Sequence, residues 1–416
     1  MYKFIVSAVL FIICISESVA QKVVETPPPF NIKTVAFYQN GQVSVPIMGL
    51  RDSFQLEFDD LFGNEADYYY EIQHCDYNWN PSGLSKIDYI QGFDNQRIQN
   101  YTNSFNTLQL YSHYKLSFPN KLTQILISGN YLIKILNEDK EVVFSRKLIL
   151  FEDIVNVPVQ VRRARNISII KEKQNLEFSI LSPNLQFQNP TQNVKVLLLK
   201  NGEFRNSISN VKPMYTIGND LIYKYDTETQ FWGGNEFLYF ENKDIRSANN
   251  YVGRVDSKEI YNAHLYQHDA RANKPYTLAP DINGSFFVNN LGAEDFSVES
   301  DYAWVFFTLS APTNFTKKDI YVNGMFNNYA LDEENKMDYN SKSGLYEKAI
   351  IIKQGFTNYQ YQLADKNGVI DQKNAIDGNF SETENSYIIL VYYRESNQRY
   401  DRVIGRGAAS SLDITN

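Results

Sequence analysis

The sequence predicts an all-β protein built as three consecutive immunoglobulin-like or early-set β-sandwiches behind a short export signal. Apolar residues recur with a period of two in short runs, and no sustained helical stripe competes with them. Aromatic residues make up 14% of the 416-residue chain, with 30 Tyr and 27 Phe against 3 Trp, a bias that suits pleated surfaces. Turn residues punctuate the runs in the manner of a sandwich.

The chain opens with Lys3, an apolar run over 4–15, and the small-x-small pattern Ser18-Val19-Ala20 before Gln21, the layout of a cleaved signal. The run is well short of the ~20 residues needed to span a bilayer. No later stretch is long and apolar enough either. A soluble, periplasmic mature chain starting at Gln21 is therefore expected, with Cys14 removed alongside the signal. The remaining Cys75 has no internal disulfide partner. It alternates with Gln73 and Tyr77 in a strand pattern, so a buried inert thiol is expected, with His74 on the opposite sheet face. Lys and Arg number 40 against 48 Asp and Glu, a formal charge of −8, which argues against nucleic acid as a partner.

The first sandwich is expected over 21–155. Pro27-Pro28-Pro29 is a stiff entry. Strands are expected at 32–38, 53–58, 68–77, 114–118, 131–136 and 142–151, the last two joined by a hairpin at Asn137-Glu138-Asp139-Lys140. The second is expected over 156–298, with strands at 157–161, 176–181, 194–199, 221–225, 236–240 and 285–288. Asn201-Gly202 is a hairpin-turn signal. In Phe231-Trp232-Gly233-Gly234-Asn235 two glycines beside two aromatics suggest a backbone turn packed under a ring. The third is expected over 299–416, with strands at 304–309, 320–322, 344–353 and 359–363. Its Phe326-Asn327-Asn328-Tyr329, with Gly355 before Tyr359 and Tyr361, resembles the early-set modules that accompany starch- and glycogen-active enzymes. Tyr329 stands where those modules carry tryptophan.

Catalytic signatures are absent from the sequence. It has no G-x-S-x-G elbow and no P-loop. His264 and His268 would share a face on a helix, but no H-E-x-x-H or cysteine pair accompanies them. Neither a catalytic nor a cofactor or metal site is expected, and the chain reads as a non-enzyme.

One stretch is singled out. After Tyr77 the chain leaves its sheet at Pro81 and Gly83, and a polar, aromatic excursion runs to Asn103. Such a length of irregular chain usually has a use. Tyr89, Phe93 and Tyr101 can anchor a partner while Asp94, Asn95, Gln96 and Arg97 bond its polar rim. The same aromatics could instead point inward and pin the loop.

Runs scattered over most of the mature chain carry a family resemblance. They are Ser53-Phe54-Gln55-Leu56-Glu57-Phe58-Asp59-Asp60-Leu61, Asp67-Tyr68-Tyr69-Tyr70, His74-Cys75-Asp76-Tyr77, Gln91-Gly92-Phe93-Asp94-Asn95-Gln96-Arg97, Ser104-Phe105-Asn106-Thr107, Ser128-Gly129-Asn130-Tyr131, the 231–237 run and Pro280-Asp281-Ile282-Asn283-Gly284. Together they resemble the plug proteins of the Bacteroidetes type IX secretion system. The resemblance implies a periplasmic protein that seals the inner mouth of a SprA-type outer-membrane barrel, in alternation with a PorV-type barrel. The other function class is a periplasmic glycan-binding protein using the aromatics of the third sandwich.

Overall fold

The computed structural model describes residues 24–312 and 318–415; the expected signal over 1–20, Cys14 and the expected Gln21 start lie outside the described residues. The chain is all-β. In the N-terminal sandwich one sheet runs in the order Gln42–Ser44, Ile32–Gln39, Phe54–Asp60, Ser112–Phe118, Tyr101–Asn103. The facing sheet runs Ile47–Gly49, Val142–Phe151, Gly129–Leu136, Tyr69–Cys75, Gln96–Arg97. Alternation sends Phe54, Leu56 and Phe58 inward. Phe58 stacks on Tyr114 at 5.0 Å and meets Phe144 edge-on at 5.1 Å, close aromatic contacts that add to burial itself.

Downstream, chain order and spatial order part. Strand Val194–Lys200 pairs with Ser386–Tyr393, and that strand pairs with Arg402–Ser410. These form one sheet of a middle sandwich whose other sheet is Val159–Arg163, Lys173–Ile180, Asp220–Tyr223 and Tyr215–Ile217. Strands Leu238–Glu241 and Phe286–Val288 instead pair with Gly355–Asp365, and Tyr261–Leu265 pairs with Tyr302–Ser310. The expected division into 156–298 and 299–416 therefore does not follow the strand pairing: a third sandwich is inserted into the middle one. The physical reason lies in Ser386–Tyr393, SYIILVYY, which is apolar on both faces. Val391 and Tyr393 face the middle core, while Leu390 and Tyr392 face the N-terminal sandwich. Only a central strand between two layers satisfies both faces.

Two joints tie the N-terminal sandwich to the other two. At the first, Ile47, Cys75 and Ile149 pack against Leu197, Leu199, Ile388 and Tyr392, sheet on sheet. Trp79, at φ +65°, is buried here with its ring edge-on to Phe204 at 6.0 Å. The Asp76 carboxylate holds this turn, accepting N–H bonds from Asn78 at 2.8 Å and Asn80 at 2.9 Å. The start of the excursion is thus part of a joint.

The second joint is ionic. Alternation that sends Phe58 inward puts Glu57 and Asp59 on the outer sheet face, which the inserted sandwich covers. Asp59 is fully buried and accepts from Lys353 Nζ, Tyr302 Oη and His113 Nδ1, each at 2.6 Å. Lys353 also donates to the Ser297 carbonyl at 2.6 Å and lies 4.1 Å from the Tyr111 ring centroid. Burial alone would raise the Asp59 pKa, but Lys353 and His113 outweigh it and hold the carboxyl below its usual range. Burial opposes a proton on His113, and Asp59 with Glu57 outweighs it, so its pKa is raised. Thr34 at φ +53° is bonded to Tyr302 Oη at 2.6 Å; a β-branched residue in this region is costly, and the bond helps to hold it there.

Candidate docking surface

The excursion is more ordered than its composition suggests. Ser85 caps a single turn, Lys86–Tyr89, with the Asp88 carboxylate accepting from the Ser85 N–H at 2.9 Å. Ile90–Gly92 then pairs with Thr123–Ile125 in a two-stranded ribbon, Gly92 opposite Thr123. Gly92 sits at φ +92°, and a Cβ there would fall 2.0 Å from the Leu122 carbonyl oxygen, so only glycine lets the two backbones approach. The Phe93 N–H donates to that carbonyl at 2.8 Å. Gln96–Arg97 and Tyr101–Asn103 finish as edge strands of the two sheets.

The seven expected contact residues separate by environment. Tyr89 is buried in the N-terminal core, and burial pushes its hydroxyl pKa up to about 12. Tyr101 is half-buried, its ring stacked on Tyr114 at 5.5 Å and its hydroxyl donating to Glu65 at 3.1 Å. These two rings pin the loop. Asp94 accepts from the Ile72 N–H at 2.9 Å and pairs with Lys86. Asn95 takes a left-handed turn at φ +62° and donates its N–H to Tyr70. Half-buried Gln96 reaches back to the Asp94 carbonyl at 3.3 Å. Arg97 is exposed and paired with Asp67. Phe93 is 72% exposed.

Phe93 has company that the sequence reading missed. Ile87, Leu122 and Leu126 are also exposed. Backbone bonds tie Phe93 to Leu122 and Leu126 to Tyr89, two residues from Ile87. The missed signal is the alternation over 122–126, in which Thr123 and Ile125 turn in and Leu122, Gln124 and Leu126 turn out. The same stretch and the strands beside it carry ion pairs: Lys86 and Lys134 with Glu71, Arg97 with Asp67, Arg399 with Asp88. These side chains stand on a ribbon whose backbone is braced by the Phe93–Leu122 and Leu126–Tyr89 bonds.

The other singled-out residues are packed. Cys75 is buried, and burial pushes its thiol up to about 12. His74 lies on the opposite face against Tyr89, Tyr131 and Tyr400, and burial lowers its pKa to about 4. His264 and His268 sit on two different strands rather than one helix; His264 bonds Asp256 at 2.9 Å. Among the described residues no group of three His, Cys, Asp or Glu is placed to hold a metal. The 231–237 and 280–284 runs meet each other: the Asp281 carboxylate accepts from the Phe237 N–H, and a Cβ on Gly284 would lie 2.8 Å from the Phe237 ring. Tyr329, which stands where the early-set modules carry tryptophan, is buried.

A family model described as the first domain of the type 9 secretion system plug protein matches residues 32–152, the span of the N-terminal sandwich strands. The chain belongs to the plug protein family of the type IX secretion system. The crystal structure of a hypothetical protein from Parabacteroides merdae ATCC 43184 is 31% identical, covers 94% of this chain and 99% of its own, and superposes with a TM-score of 0.88. The plug match lies in the sandwich that carries the rim, and the similarity of fold extends through the middle and inserted sandwiches. No curated protein matches the chain. Membership of the plug family gives the protein a role in type IX secretion. Among the described residues no helix is long and apolar enough to cross a membrane.

Proposed function

We propose that the protein is a periplasmic plug that binds and seals the inner mouth of a SprA-type outer-membrane translocon barrel, alternating there with a PorV-type barrel, and that it docks through the rim of Ile87, Phe93, Leu122 and Leu126. The observation that carries the proposal is a plug-family sandwich presenting an exposed apolar rim on a backbone braced at both ends. A very wide barrel has an aqueous lumen and leaks unless blocked. Blocking it takes a folded body. One sandwich of ~120 residues has a radius of gyration near 13 Å, and three joined through buried interfaces make a body too broad to slip through. Release in every cycle favours a small apolar centre with charged edges over a wide apolar patch. Arg97 belongs to that edge: its exposed pair with Asp67 is worth under ~1 kcal/mol to the fold, which leaves the guanidinium open to a partner.

The test is co-purification from detergent-solubilised envelopes. Phe93→Asp, and separately Arg97→Glu, should leave the thermal midpoint within a degree or two and lower recovery of the barrel, Phe93→Asp by on the order of tenfold. Deleting the protein should admit a large hydrophilic dye only in cells that have the barrel. Full barrel recovery with both variants would move the interface elsewhere. Equal dye entry with and without the barrel would remove the sealing role.

A further inference from the structure

A cavity of about 700 Å³ lies where all three sandwiches meet. The N-terminal sandwich contributes Thr34, Val35 and Arg146, the middle one Glu203 to Arg205, the inserted one Met325 to Asp332, and the entry segment Val24 and Glu25. Its volume is in the range that takes a small organic ligand.

Arg146 is the unusual wall residue. Strand alternation puts it on the inner face with Phe144 and Leu148, and it is only 7% exposed. One guanidinium nitrogen donates to the Ser145 carbonyl at 3.0 Å, and the group lies 5.6 Å from the Phe144 ring centroid. Its buried Nε–H has no partner among the described residues. Burial pulls the pKa down, and Glu25 opposes this through space. An under-compensated buried cation costs several kcal/mol and is not kept for stability. Tyr329 lines another wall of the same cavity, but its hydroxyl turns away from it toward Gly284.

The wall acids are already engaged. Glu334 pairs with Lys33 at 2.7 Å. Asp332 accepts the N–H groups of Glu334 and Asn335. Burial raises the Glu203 pKa toward the neutral form while Asn206 and Gln362 donate to it. Glu25 accepts the Lys147 N–H at 2.7 Å. Between these groups the lining is apolar, with Phe204, Phe286, Phe326 and Pro46.

We infer that this cavity binds a carboxylate with a compact apolar body, the carboxylate against Arg146 and the body against Phe204 and Phe326. Two sources share that chemistry, a free aliphatic acid and the C-terminal carboxylate of a short peptide. Bound there, the ligand would bridge the N-terminal and inserted sandwiches, independently of the rim.

The test is calorimetry on the full-length mature protein with three probes: decanoate, acetyl-Ala-Leu-Val with a free C-terminus, and the same peptide as its C-terminal amide. One or both carboxylates should saturate, and the amide should not. Arg146→Met should weaken the carboxylate that binds at least tenfold while its thermal midpoint stays level or rises, because an uncompensated buried charge is removed. Saturation by decanoate alone identifies a small-acid site, and saturation by the free peptide alone a chain-end site. Unchanged binding to Arg146→Met, or no saturation of the wild type by either carboxylate, would overturn the inference.

Discussion

Lys353→Met removes the cation from the ionic joint and keeps an unbranched side chain of similar length. Lys353 and Asp59 are 3% and 0% exposed. The substitution leaves Asp59 with Tyr302 and His113, and strands its charge where water cannot reach it. Removing one partner of a buried pair costs about 3–5 kcal/mol. Methionine keeps the stem packed beside Tyr111, so little of that loss is cavity. Adding Asp59→Asn should recover much of it, because losing both charges is far less costly than losing one. Urea titration checks this. The variant's earliest transition should move to lower urea, since several sandwiches need not unfold in one step. Hydrogen exchange should rise first in Tyr302–Ser310 and Phe54–Asp60, the strands that face each other across the joint. A Lys353→Met protein within ~0.5 kcal/mol of wild type, or a double variant worse than the single one, would refute the view that this joint depends on a charge pair.

Two further outcomes are expected. His113 lies between Asp59 at 2.6 Å and Glu57 at 3.2 Å, and its folded pKa is raised above 6.5. Its contribution is therefore full below pH 6.5 and lost as pH rises through the folded value; urea midpoints from pH 6 to 9 should fall, and His113→Gln should flatten that fall. Gly92→Ala should open the ribbon at a cost above ~1 kcal/mol, seen as faster amide exchange over 90–92 and 123–125 with the sandwich core unchanged, and unaltered protection there would discount the close approach to Leu122.

Much of this fold is legible in the sequence, and its failures have a common cause. Period-two runs such as FQLEF over 54–58 and VVFSRKLILF over 142–151 announce strands because their alternation is local. Pairing is not local. Nothing near Val194–Lys200 says that its neighbour is Ser386–Tyr393, so the sequence suggests units in chain order. The docking rim follows the same logic. Tyr89 and Tyr101 look like anchors because aromatics serve both cores and interfaces, and only the completed sandwich assigns them inward. Leu122 and Leu126 look like core because leucine usually is. Phe93 and Arg97 emerge on the surface because Gly92 and Asn95, both at positive φ, turn the chain outward around them.

The inserted sandwich also bears on the order in which the protein assembles. The Ser386 N–H meets the Asn201 side chain across 185 residues. Until that distance is closed, Val194–Lys200 has no neighbour on one edge and carries uncovered leucines at 197 and 199, a surface that invites pairing with another chain. If the inserted strands collapse first, they bring the two ends of the gap together and remove most of the loop-closure entropy. The middle sandwich is then the last to close, and its closure completes the leucine and tyrosine face on which the N-terminal sandwich docks. Maturation of the whole body thus waits on the strands that are synthesised late, and refolding should show a slow phase in which the N-terminal and inserted cores are protected before residues 194–200 are.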